Sequence, residues 1–125
     1  MRAFEAGVVP AAGFHHRDHL HVAWCYLRAM PLEDALARYV RHLRALTVAL
    51  GVPGKYHATI TWAYVILLDD AMHDPALAGA DLDAVLAARP ALLARPPVAF
   101  AGRYAVDELD DPVARARFVL PRPRP

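Results

Sequence analysis

Apolar residues recur three and four apart through the first 76 residues, the spacing that lines one face of a helix. No sustained two-residue alternation in that stretch suggests a strand. The pattern predicts a short helix near residues 2–7, stopped by Pro10, and then three longer ones. The first of these runs from about His16 to Met30 and ends before Pro31. The second runs from about Glu33 to Leu50, with Glu33 and Asp34 at the positive end of its dipole. "GVPGK" (51–55) reads as the loop after it. The third runs from about Tyr56 to His73 and closes at "HDP".

From residue 75 onward the pattern changes, and eight of the eleven prolines lie there. "DLDAVLAA" (81–88) predicts a short helix with Asp81 as its N-cap. "ARPALLARPP" predicts a turn and then an extended stretch. "DELDDPVARARFVL" predicts one more helix, with "RFVL" packed as an extended piece. "PRPRP" lacks the N–H groups that a helix needs and is expected to fray. The fold expected is all-α: a small bundle of three main helices plus short terminal helices. It forms a single helical domain over residues 1–120, followed by a Pro/Arg-rich tail at 121–125.

Composition narrows the class. At 125 residues, 57% hydrophobic and 22% charged, the chain is globular and large enough for one core. Fourteen Lys and Arg balance thirteen Asp and Glu, which argues against a general nucleic-acid binder. Cys25 stands alone, so neither an intrachain disulfide nor a cysteine zinc cluster is expected. The longest apolar run, "AYVILL" (63–68), is far too short to span a bilayer. "MRAFEAGVVP" has no apolar run of signal-peptide length. The expectation is a cytoplasmic protein with no membrane or nucleic-acid partner and with its oligomeric state open.

"GFHHRDHLH" (13–21) holds four of the seven histidines. On the first main helix, Leu20, Ala23, Leu27 and Met30 fall within about 40° of His16 at 3.6 residues per turn. His16 and His19 then lie at the centre and edge of the apolar stripe. His21 points away, and His15 takes the N-cap or precedes the helix. On the third helix, Thr61, Tyr64, Leu68 and Ala71 share the face of His57. The second helix has its stripe at Leu36, Tyr39, Val40, Leu43, Leu46 and Leu50, which leaves His42 on the surface. With one helix between them, the first and third main helices run parallel, a geometry that brings His16, His19 and His57 to one end. Three imidazoles are a common ligand set for a divalent transition metal. The competing reading is three hydrogen-bonded core histidines.

Phe4-Glu5, Val9-Pro10, "FHHRDHL" (14–20) and "YHATIT" (56–61) together resemble a pattern in a family of small bacterial helical proteins with no established reaction. The ending "GRYAVDELDDPVARARFVLP" is also similar to that family's. The resemblance lends weight to Glu5, His16, His19 and His57, which match its polar positions. Family members often carry Glu where this chain has Ala58, which places catalysis in more doubt than metal binding. Asp18 is a candidate substitute.

Glu5 reads either as a fourth ligand and general base for metal-bound water or as an exposed helix residue. For the first role its segment must fold back, with Phe4 and Val8 capping the bundle. Thr59 and Thr61 could orient an imidazole or bond within their own helix. Tyr56 and Tyr64 fit a pocket or the core, and Trp24 and Trp62 fit packing. Arg38, Arg41 and Arg44 read as a solvated face, with Asp34 pairing to Arg38. The functional expectation is a metal-dependent enzyme acting on a small molecule by hydrolysis or iron-type chemistry. Its metal would be held by His16, His19, His57 and Glu5. Zinc is the first choice and iron the second, with nickel or copper also compatible. The alternatives are a non-catalytic metal-binding or sensing protein, and a helical interaction module with structural histidines.

Overall fold

The computed structural model describes residues 1–9 and 13–123. Helix α1 spans Arg2–Glu5, α2 His16–Ala29, α3 Leu32–Ala49 and α4 Ala58–Met72. Three short helices follow: α5 (Leu82–Ala88), α6 (Val106–Asp110) and α7 (Pro112–Ala116). No strand occurs among the described residues, and the fold is all-α. The expected stop at Pro10 lies outside those residues. None of the helices is long and apolar enough to cross a membrane. The chain divides into two compact units, Met1–Tyr56 and His57–Pro125.

In the first unit, Pro31 separates α2 from α3, since it cannot donate an N–H and disfavours helix in the residue before it. So short a connection makes the two helices neighbours. Their shared core takes Leu20, Ala23 and Tyr26 from α2 and Ala35, Leu36, Tyr39, Leu43 and Leu46 from α3. Leu50 departs from the expected stripe: it caps α3 and is 52% exposed. Helix α1 folds back and buries Phe4. The Phe4 ring stacks on Tyr39 at 5.4 Å and meets Tyr26 edge-on at 6.3 Å. Val8 does not join this cap and is exposed.

In the second unit, α4 is apolar around most of its circumference and is covered on several sides. It packs against α7 and against 3₁₀ turns at Pro90–Leu93 and Val98–Phe100. The first of these turns falls where a turn is expected in "ARPALLARPP", but a bend and a second turn at 94–97 stand where the extended stretch is expected. Phe100 is fully buried, edge-on to Tyr64 at 4.9 Å and to Tyr104 at 5.8 Å. Asp81 caps α5 as its sequence suggests, accepting from the Ala84 N–H at 2.9 Å. The single helix expected after residue 106 is split at Pro112. Proline suits the first turn of a helix and not its interior, and Asp111 caps the restart by accepting from the Val113 N–H.

The C-terminal segment then runs extended, as "RFVL" suggests, and is strapped to the unit at several points. Thr59 Oγ1 donates to the Arg117 carbonyl at 3.0 Å and accepts from the Val119 N–H at 3.1 Å. Phe118 stacks on Trp62 at 5.3 Å. The Tyr104 hydroxyl donates to the Val119 carbonyl at 2.6 Å. The tail was expected to fray, yet Arg122 is tied down. Its N–H donates to buried Glu108 and its guanidinium to Asp107, both at 2.8 Å. Arg124 and Pro125 lie outside the described residues.

Candidate functional site

His57 is the N-cap of α4, with extended backbone at φ −133° and ψ 112°. A cap residue lies outside the helical wheel, so the face assigned to it from helical spacing does not apply. Its Nδ1 accepts from the Ile60 N–H at 3.1 Å, and its Nε2–H donates to the Leu109 carbonyl at 2.6 Å. The residue is 6% exposed. Both nitrogens are therefore bonded within the second unit, joining the start of α4 to α6. A metal would have to displace one of these bonds to reach a lone pair. Thr59 does not orient an imidazole: its hydroxyl holds the C-terminal strap.

His16 and His19 belong to the first unit. His15 precedes α2, and its N–H donates to the Asp18 carboxylate at 2.8 Å. That bond spends Asp18 on capping its helix, so Asp18 is not an idle carboxylate. His19 Nδ1 shares a hydrogen bond with the Tyr39 hydroxyl at 3.2 Å, and Phe14 packs on its ring at 4.3 Å. Burial, reinforced by neighbouring His16, lowers the His19 pKa to about 4. His19 is thus a neutral imidazole at pH 7, with no hydrogen bond at Nε2 among the described residues.

Glu5 sits in a polar cluster of the first unit. Arg38 grips it as a fork, Nε to Oε2 at 2.6 Å and the terminal nitrogen to Oε1 at 2.9 Å. The Tyr26 hydroxyl donates to Oε2 at 2.5 Å, and His42 Nε2 lies 3.4 Å from the same oxygen. The Arg38 and Tyr26 hydrogen bonds hold the Glu5 carboxyl down at about 2. So acidic a carboxyl is a poor general base near neutral pH. The segment folds back as the Glu5 proposal requires, but the carboxylate serves as an anchor. Arg38 is not simply solvated, and His42 is not a free surface histidine.

Tyr26, Arg38 and His42 are the residues that sequence reasoning missed here. On α3, His42 falls about 60° from Tyr39, and Arg38 about 40° further round, at 3.6 residues per turn. Both flank the apolar stripe on the Tyr39 side, which is where a folded-back segment could meet them. Among the described residues, no group of three or more His, Cys, Asp and Glu side chains is disposed to hold a metal ion. No known family, curated protein or solved structure matches this chain.

Proposed function

We propose that this chain is a helical interaction module whose histidines hold its own elements together. One observation carries the reading: both ring nitrogens of His57 are bonded to backbone groups of its own unit. Glu5 gives the same picture, with its carboxylate spent on Arg38 and Tyr26. Residue types that suit catalysis are used here to join helices, as buried polar groups must be. The test is elemental analysis of untagged protein from a metal-supplemented culture. The expected result is no stoichiometric zinc, iron, nickel or copper, and a melting temperature that a chelator leaves unchanged. About one metal ion per chain, with chelator-sensitive melting, would overturn it.

A metal-binding reading, zinc first and iron second, draws on one further observation. His19 is neutral and oriented by Tyr39, as a ligating imidazole often is by its second nitrogen's partner. His16 lies one turn before it on α2. These two would supply imidazole ligands for a binding, sensing or small-molecule enzyme site. His19→Ala would then abolish metal uptake while His21→Ala preserved it. Equal uptake in both variants would count against that reading.

A further inference from the structure

Helix α1 has only four residues, and its N-cap offers no side-chain hydrogen bond. A helix so short has no stability of its own. Phe4 is its one buried residue, and Glu5 makes its ion pair. Two adjacent side chains, one aromatic and one acidic, therefore account for its docking. The groups that receive them are built for that pair. Phe14, Tyr26 and Tyr39 surround the Phe4 ring at centroid distances of 5.8, 6.3 and 5.4 Å. Next to this ring box, Arg38, the Tyr26 hydroxyl and His42 converge on a single carboxylate. A planar guanidinium fork is the side chain best matched to a carboxylate. Tyr26 belongs to both halves, so the ring box and the carboxylate clamp are one site.

We propose that this is a peptide-recognition socket, and that Phe4-Glu5 fills it in place of a partner segment carrying an aromatic residue followed by an acidic one. The proposal rests on the interaction-module reading and names its partner class. As a tethered occupant, α1 competes at an effective concentration in the millimolar range. A free segment therefore binds appreciably only when α1 is weakened or when the partner brings further contacts. Aromatic and carboxylate must come together, because neither half of the socket is satisfied by the other's ligand.

The test uses the full-length chain carrying Phe4→Ala and Glu5→Gln, with a fluorescent peptide of sequence MRAFEAGVV as probe. The expected result is saturable anisotropy, at least about tenfold tighter than for the wild-type chain, whose tethered segment competes. Binding should be lost when the peptide's own Phe or Glu is replaced, and lost again when the chain also carries Arg38→Ala. No saturable binding to a variant that keeps its helical circular dichroism would overturn the proposal, as would binding indifferent to Arg38→Ala. If the double variant loses its helical signal, Glu5→Gln alone takes its place, with a smaller gain over wild type expected and no gain overturning the proposal. Wild-type dimerisation that is lost in the variant would assign the socket to α1 of a second copy, and so overturn its assignment to a partner. A metal-free chain that fails to bind peptide loses the socket but keeps the module reading. Stoichiometric metal removes the module reading whatever the peptide does.

Discussion

Glu5→Gln leaves the side chain's shape but removes the charge that Arg38 grips. Its cost should depend on Arg38. In a double-mutant cycle with Arg38→Ala, each single change lowers the melting temperature, and the pair costs less than the sum. Additive effects would show that the fork contributes nothing as a pair. The pH dependence has a definite sign. The Glu5 pKa is depressed from 4.5 to about 2, so its contribution is present above 4.5 and lost as pH falls toward 2. His57 makes a different prediction. His57→Ala leaves the Ile60 N–H and the Leu109 carbonyl without their partners. Losing a cap and orphaning a buried acceptor should cost about 2–3 kcal/mol, measured by urea denaturation. His57→Asn should restore the cap alone and recover part of that cost. Full recovery would show that the bond to Leu109 is worth nothing.

At the scale of elements, the C-terminal strap is the feature most exposed to test. Thr59 is fully buried, and its hydroxyl serves the carbonyl of Arg117 and the N–H of Val119 at once. Thr59→Val keeps the shape and removes both bonds, at a cost of about 2 kcal/mol. Amide exchange should rise across residues 117–122 and much less in α5, and Trp62 fluorescence should shift as Phe118 leaves its ring. Uniform exchange throughout the second unit would show that the strap and the core open together. The strap continues as far as Arg122 among the described residues. Proline stops "PRPRP" from joining a helix, but it leaves Arg122 able to donate to Glu108 and Asp107.

Across the whole molecule, acid should act first on the first unit. His19 falls from 6.5 to about 4, chiefly through burial. A depressed histidine contributes stability above 6.5 that is lost as pH falls toward 4, on the order of 3 kcal/mol when complete. Glu5 adds its loss in the next window below. In the second unit, Asp74 and Asp107 are held below the usual carboxylate range by the Ala76 N–H and by Arg122 respectively. Both are carboxylates, so their effects come only in more acid solution. Trp24 and Trp62 report the two units separately in the Trp62→Phe and Trp24→Phe variants. The Trp24 signal should change at higher pH than the Trp62 signal, and His19→Gln should narrow the gap. A Trp62 change that comes first would contradict the placement of these groups.

Periodicity, proline and capping residues determined the helices. The expected ends of α2 and α3 lie within a residue of those observed, because an apolar stripe and an adjacent proline are local properties. Asp81 as a cap and "RFVL" as an extended piece were legible for the same reason. The roles of the polar residues were not, because each depends on a partner far along the chain. Glu5 meets Arg38 only once α1 has folded back, and Thr59 meets Val119 only once the strap has crossed α4. His57 shows the limit most clearly. Helical spacing assigned it a place on the inward stripe, and it is buried, but α4 begins two residues later than the pattern suggests, at Ala58, which makes His57 a cap instead of a helix position. Sequence therefore established which imidazoles and carboxylates are available and roughly which side they face. Only the tertiary structure decided what satisfies them, because a buried polar group takes whichever donor or acceptor the packing brings within hydrogen-bond distance.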